Sequence, residues 1–122
     1  RSVSDLGHEY LLPGDYVLGV HGSVGETLFC LLEGSAELSV PTSKGYLAVR
    51  IVRGGESVPL SILFGDGKLI TTAVTVETVR CFAMPRSFLL QLCVTQPEVG
   101  MQVYRAAAEV FLTRYAATLS KL

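Results

Sequence analysis

Residues Leu11–Gly34 read LLPGDYVLGVHGSVGETLFCLLEG, and this stretch decides the fold. Short apolar segments alternate in it with Gly, Pro and Asp, and helical periodicity is absent. Pro13-Gly14-Asp15 predicts a tight turn, because Pro presets one turn angle and Gly accepts another that most residues cannot adopt. The stretch therefore predicts short strands joined by tight turns.

The same pattern continues over about residues 9–84, with turn residues roughly every ten positions, which is typical of an all-β sandwich or barrel. Leu47, Val49 and Ile51 alternate with their neighbours, and the segment from Thr71 to Val76 is rich in β-branched residues. Eight short strands are expected. The fold class is therefore mainly β with C-terminal helices.

Composition and charge limit the possible functions. The chain has 122 residues, of which 49% are apolar and 17% charged, so one domain with a large core is expected over residues 1–122. The net charge of -1 offers no basic excess for phosphates, which disfavours nucleic-acid binding. The charge-free stretch Ser87–Pro97 has only eleven residues, too few to cross a bilayer.

Three cysteines lie far apart in apolar runs, at Cys30, Cys81 and Cys93. Their odd number and spacing favour reduced core thiols over a disulfide framework or a zinc site.

The sequence begins at Arg1 rather than at Met, so we expect a piece of a longer polypeptide.

After the strands, helices are expected over about residues 86–121. Pro85 can open a first helix, and Thr95-Gln96-Pro97-Glu98 has the spacing of a capping box with Pro in the first turn of a second. The second helix carries two apolar stripes, although a solitary surface helix needs only one. Either it is sunk deeply in its own domain, or the second stripe docks a partner. That stripe includes Tyr104, Phe111, Tyr115 and Leu119.

The glycine pattern resembles the first half of the cyclic-nucleotide-binding fold, an eight-stranded β-roll followed by helices. That half reads Pro-Gly-acid, a hydrophobic strand, Gly, Gly-acid, an aromatic strand and a final Gly. The matching residues are Pro13-Gly14-Asp15, Tyr16-Val17-Leu18, Gly22, Gly25-Glu26, Leu28-Phe29 through Leu32, and Gly34. These glycines indicate the fold, and they do not indicate which ligand the domain binds.

The resemblance implies a ligand site in which a Gly-Glu pair contacts the ribose. An Arg about nine residues later pairs with the cyclic phosphate in that family. Gly55-Glu56 fits an earlier Gly-acid turn of the family. The Gly-Glu positions are then Pro59 and Leu60, and Leu69 stands at the Arg position, followed by Thr72. A phosphate facing two leucines has no charged partner, which costs roughly 2–5 kcal/mol. Binding of cyclic AMP or cyclic GMP is therefore predicted to be weak or absent.

An alternative role for the same cradle rests on Lys68, which with Thr71 and Thr72 could form a makeshift anion site. The other interpretation of Gly65-Asp66-Gly67-Lys68 is a solvated turn, with the threonines serving as strand formers. Two functions follow from these interpretations. One is a nucleotide-independent regulatory or interaction domain, and the alternative is a sensor of a cyclic nucleotide or another small anion.

The cassette most resembles the first regulatory domain of neuropathy target esterase and its relative among patatin-like phospholipases. The shared runs are Leu11 to Val17, Gly55-Glu56-Ser57-Val58, Leu60-Ser61-Ile62-Leu63 and Met84-Pro85. The resemblance implies a lysophospholipase on the cytoplasmic face of the endoplasmic reticulum, whose neighbouring domains are the partners of this one. The sequence leaves the oligomeric state open.

Catalytic and metal motifs are absent from the sequence. Gly22-Ser23-Val24-Gly25 has the wrong order for a nucleophile elbow, so we expect no serine hydrolase within this domain. The only histidines, His8 and His21, are expected in loops, and neither has a His partner at ligand spacing. No catalytic residue, cofactor or metal is assigned.

Overall fold

The computed structural model describes residues 8–122 and comprises two compact units. The first ends at Phe88 and the second spans Leu89–Leu122. Within the described residues, eight strands precede two α-helices, which confirms the predicted class. The strands are β1 (His8–Leu12), β2 (Val17–Gly19), β3 (Thr27–Glu33), β4 (Ser35–Thr42), β5 (Gly45–Arg53), β6 (Ser57–Val58), β7 (Thr72–Thr75) and β8 (Val79–Pro85). The helices are a 3₁₀ turn (Leu60–Leu63), α1 (Arg86–Thr95) and α2 (Pro97–Leu119).

The strands form two antiparallel four-stranded sheets, in the orders β1-β8-β3-β6 and β2-β7-β4-β5. Alternation along each strand sends one set of side chains into the core. On β8, Val79, Cys81 and Ala83 are buried, while Arg80 between them bonds to Glu9 and Glu33 on the neighbouring strands. The largest of the fully buried side chains are Leu31, Val52, Val58, Ile62, Thr75, Val79 and Cys81.

The turn at Pro13-Gly14-Asp15 forms as predicted, but Asp15 rather than Gly14 takes the left-handed conformation, with φ of 61°. Asp tolerates this region better than most residues. At Gly14 a Cβ would lie 3.6 Å from Glu77 Cα, which is an ordinary contact, so the packing does not require a glycine there. Thr75 secures the turn by donating to the Pro13 carbonyl at 2.7 Å.

The alternation of residues along strand β5 does not correspond to one buried and one exposed face. Tyr46, Leu47 and Val49 are more than half exposed, and only Val52 is buried. The cause is the position of β5 at the edge of its sheet. Strand β7 covers β4 only over residues 36–39, so the rest of the β4–β5 hairpin extends beyond β7.

The second unit contains most of α1 and all of α2, which are separated by Gln96. Pro85 ends β8 rather than opening a helix, and the predicted capping box does not form. The N-cap of α2 is Gln96 rather than Thr95, and its side chain makes no capping bond. Thr95 cannot cap α2 because its hydroxyl donates back to the Gln91 carbonyl at 3.1 Å. The two helices meet at Gly100, where a Cβ would lie 2.8 Å from Cys93 Cα.

The predicted docking stripe on α2 divides into two parts. Tyr104 and Phe111 are half-buried, whereas Tyr115 is 62% exposed and Leu119 46%. In the part of the chain that the structure describes, none of the helices has the length and apolarity of a bilayer span.

Candidate functional site

The predicted cradle is built by the 3₁₀ turn, the loop that follows it and the first residue of β7. Main-chain bonds join the loop to residues 20–25. The N–H of Leu69 donates to the Ser23 carbonyl and the N–H of Gly22 to the Leu69 carbonyl, both at 2.8 Å. The N–H of Gly25 donates to the Gly67 carbonyl at 2.9 Å. Both main-chain groups of Leu69 are therefore hydrogen-bonded within the fold.

The side chain of Leu69 points into the β-roll and is only 3% exposed. A Cβ on Gly25 would lie 2.7 Å from Leu69 Cδ2, and Ile62 Cγ2 would be closer still. A Cβ on Gly19 would meet Leu69 Cδ1 and would lie 3.6 Å from Pro59 Cγ. The structure thus brings Leu69, Pro59 and Ile62 together over two glycines, and these apolar side chains fill the space.

At the other predicted positions, Pro59 is buried after a cis Val58–Pro59 peptide bond, and Leu60 is half-buried at the start of the 3₁₀ turn. The Pro59 carbonyl accepts the N–H of Ile62 at 3.4 Å. Because Pro has no N–H, this position offers no main-chain donor to a ligand. Neither residue carries a group that would recognise ribose.

Lys68 and the two threonines have different surroundings. Lys68 is exposed in a turn with positive φ at Gly65 and Gly67, and its N–H donates to Asp66 Oδ1 at 3.0 Å. Thr72 is buried, and its hydroxyl oxygen accepts the N–H of His21 at 2.9 Å. Thr71 is half-buried. The loop has the form of a solvated turn, and Thr72 serves to hold residue 21.

Arg86 is a residue of this site that sequence reasoning missed. Its Nε donates to the Ile62 carbonyl at 2.9 Å, and a Cβ on Gly67 would lie 2.7 Å from the same nitrogen. The guanidinium therefore bridges the 3₁₀ turn and the loop. A cation in the first turn of a helix opposes the helix dipole, and this unfavourable placement was the available signal.

The thiols are free in the structure, and Cys81 is fully buried in the β-roll. Burial raises the pKa of Cys81, and the nearby Cys30 raises it further. Ser57 Oγ lies 3.4 Å from Cys30 Sγ. Burial, together with Cys30, therefore keeps Cys81 a neutral core thiol.

A concavity in the β-roll has a volume of about 390 Å³, and none of its lining residues belongs to the cradle. Aromatic rings and aliphatic carbons form most of its wall. It is lined by Tyr10, Leu12, Tyr16, Thr27, Phe29, Ala83 and Pro85.

Within residues 8–122, no three His, Cys, Asp or Glu side chains are placed to hold a metal ion. His21 lies in a loop as expected, but His8 is the first residue of β1, where it pairs with Ala83. The expectation of a loop failed there because the β1–β8 ladder extends to residue 8.

A family model described as the cyclic nucleotide-binding domain matches residues 9–96. The chain belongs to this family. The resemblance seen in the turn glycines is thereby confirmed at the level of the family, and the β-roll with C-terminal helices is its fold. A domain of this family is a regulatory fold, typically without catalysis of its own. No curated protein sequence matches the chain.

Solved structures agree on the fold of this cyclic nucleotide-binding domain. A cyclic nucleotide-binding domain from Methylobacillus flagellatus superposes with a TM-score of 0.85 at 18% identity, over 97% of this chain and 67% of that one. The catabolite activator protein of Thermus thermophilus gives 0.76 at 20%, over 95% of this chain and 55% of that one. The regulatory domain of Toxoplasma gondii PKA, crystallised with cAMP, gives 0.66 at 19%, over 70% and 33%.

These likenesses show the fold alone, and the chain spans only about half of the Thermus protein. The finer resemblance to neuropathy target esterase stays a prediction. Other similar structures include transcriptional regulators, so this fold occurs in gene regulation. The expectation that this chain avoids nucleic acid therefore rests on its charge alone.

Proposed function

We propose that this domain is a non-catalytic regulatory and interaction module whose cassette does not bind cyclic nucleotides at cellular concentrations. The observation that carries the proposal is the packing of Leu69, the residue predicted at the phosphate-binding position, against Gly19 and Gly25. A cation at this position would extend toward an anion. A leucine here completes the core instead.

The energetics favour the closed cradle. A nucleotide that displaced Leu69 would expose a buried leucine, at a cost of about 1.5–3 kcal/mol. The phosphate would then lack a charged partner, which costs roughly 2–5 kcal/mol more. Either cost alone lowers affinity by about tenfold or more. The sensor function, which depends on Lys68, Thr71 and Thr72, lacks comparable support because Thr72 already holds His21.

A thermal-shift assay separates the two functions. A ligand present at one hundred times its dissociation constant stabilises the fold by about 2.7 kcal/mol, which raises Tm by several degrees in a domain of this size. We expect no shift with cyclic AMP, cyclic GMP or inorganic phosphate at about 1 mM, where a 10 µM ligand reaches that ratio. A shift with a nucleotide, or with phosphate alone, would establish a sensor instead. The Lys68→Gln variant would then show whether Lys68 holds the anion.

For the interaction role, we propose that α2 docks a neighbouring domain of the parent chain. Its exposed side chains include Ala108, Leu112, Tyr115 and Leu119, which repeat at intervals of four, three and four residues. This spacing is that of a coiled-coil seam. A helical partner surface is therefore the best match.

On the sequence resemblance alone, we propose that the parent chain is a lysophospholipase on the cytoplasmic face of the endoplasmic reticulum. The runs around Ser57 and Leu60-Ser61-Ile62-Leu63 support this. The test is the full-length chain. It should contain a Gly-x-Ser-x-Gly elbow outside this domain, hydrolyse lysophosphatidylcholine and localise to that membrane when tagged. A full-length chain without such an elbow would contradict the proposal and leave the regulatory role intact.

A further inference from the structure

The outer edge of β5 is open over most of its nine residues. Among residues 8–122 the strand is the last in its sheet, so within this part of the chain one row of its N–H and C=O groups has no neighbouring strand. At one end of the strand, Glu56 Oε2 accepts the N–H of Arg53 at 2.8 Å, so this main-chain donor already has a partner. The open part runs over residues 45–51, and such an edge is a template for another strand.

The two edges of the β4–β5 hairpin differ. Where β4 extends beyond β7, it carries Pro41, which removes a donor and protects that edge. Strand β5 contains no Pro, and its apolar side chains are exposed on both faces. Tyr46 is 64% exposed, Leu47 57% and Val49 52%. Natural edges of this length are usually covered.

The charge of this edge selects the occupant. From Thr42 to Arg53 the hairpin carries Lys44, Arg50 and Arg53 and no Asp or Glu. A second copy paired edge to edge would bring only cations together, which destabilises cross-strand pairs. Among the described residues, Glu56 shows the preference of this edge for a carboxylate, since Glu56 lies 3.6 Å from the guanidinium of Arg50. The complement of β5 is an extended strand with acidic residues.

We propose that the edge of β5 binds an extended segment of another polypeptide, in which acidic residues alternate with apolar ones. Main-chain hydrogen bonds along residues 45–51 would supply affinity, and the basic side chains would select the sequence. This inference is independent of whether the cradle binds a nucleotide.

The test uses an end-blocked nine-residue peptide that alternates Glu and Val, titrated into ¹⁵N-labelled protein and followed by NMR. We expect saturable shifts of the backbone amides of residues 45–51. A peptide with Lys in place of Glu should bind at least about fivefold more weakly, since each cross-strand charge pair contributes roughly 0.2–1 kcal/mol. A peptide N-methylated at alternate residues should not bind, because it lacks the donors.

Variants of the protein provide matched controls. Arg50→Gln with Arg53→Gln should weaken the Glu-Val peptide severalfold, whereas Arg105→Gln with Lys121→Gln, an equal change of charge in the helical unit, should not. The proposal is overturned if the β5 amides do not shift at about 1 mM peptide, where even a weak complex forms. Equal binding of the Lys peptide or the N-methylated peptide also overturns it. Dimerisation of the protein through β5 would also overturn the proposal, because the occupant of the edge would then be a second copy of this chain.

Discussion

Leu69 and Gly25 occupy one small volume, because a Cβ on Gly25 would lie 2.7 Å from Leu69 Cδ2. The leucine takes the space that the glycine leaves. The conformation of Gly25 does not require a glycine, since its φ is not positive. Its small size is what the packing requires, and the cradle is closed by this complementarity.

The packing of Leu69 predicts coupling between two substitutions. Gly25→Ala should destabilise the domain by about 1–3 kcal/mol through overpacking. Leu69→Ala should cost about 2–5 kcal/mol. The double variant should be more stable than the sum predicts, by about 0.5–3 kcal/mol, because each change relieves the other. Urea unfolding of the four proteins measures this cycle. Strict additivity would show that the two residues do not share the space.

Charged groups restored at the cradle should create nucleotide binding. Leu60→Glu supplies an acceptor for the ribose hydroxyl, and Leu69→Arg supplies a cation for the phosphate. We expect the double variant to bind cyclic AMP measurably in calorimetry, at some cost in stability. Leu60→Gln with Leu69→Gln is the control of similar bulk and should not bind. A folded double variant that binds nothing would show that the alignment of Leu60 and Leu69 is wrong.

Arg86 is expected to stabilise the cradle locally. Arg86→Gln removes the donor to the Ile62 carbonyl, and a hydrogen bond to a charged group contributes about 1.5–3 kcal/mol. Amide exchange should accelerate at Phe64 and Gly67, whose N–H groups bond within the same turn. The exposed Arg105 gives the control, since Arg105→Gln should change neither exchange nor stability. Unaltered exchange in the Arg86 variant would exclude a bridging role.

The raised pKa of Cys81 predicts a pH effect. The folded state keeps this thiol protonated at pH values where the unfolded chain, with an ordinary thiol pKa near 8.5, has lost the proton. Stability from this group is therefore complete below about pH 8 and decreases as pH rises above it. Compared with Cys81→Ala, the wild type should lose free energy of unfolding more steeply between pH 8 and 10. Parallel profiles would contradict the assignment.

The two parts of the α2 stripe, one exposed and one half-buried, predict unequal losses of stability on substitution. Tyr115→Ser with Leu119→Ser should change stability by no more than about 0.5 kcal/mol for each substitution, because both side chains are exposed. Tyr104→Ser with Phe111→Ser should cost clearly more, since both rings are half-buried. Guanidinium unfolding of the two variants compares them. A large loss in the first variant would show that the exposed part of α2 is structural.

The strands and turns were predictable because they depend on local patterns. Alternating apolar residues and turn residues at fixed spacing predicted eight strands but did not locate the two-residue β6 (Ser57–Val58). The nine-residue interval identified Leu69 as a position of interest. Local patterns cannot show where a side chain points. Leu69 is buried because Gly19 and Gly25, distant in sequence, leave room for it.

Other features depended on the same kind of long-range contact. Arg86 was missed because its partner is the carbonyl of Ile62, in a different element. The exposure of β5 follows from its place at the sheet edge, which its own alternation does not reveal. The capping box failed because Thr95 belongs to the end of α1, so its hydroxyl bonds backward.

The most direct test of the closed cradle is isothermal titration of the wild-type domain with cyclic AMP and cyclic GMP to about 1 mM, a concentration at which a micromolar complex would be saturated. Circular dichroism of the same sample confirms that it is folded. We predict no heat of binding from either nucleotide. Micromolar binding of either one would contradict the account and make this domain a second-messenger sensor.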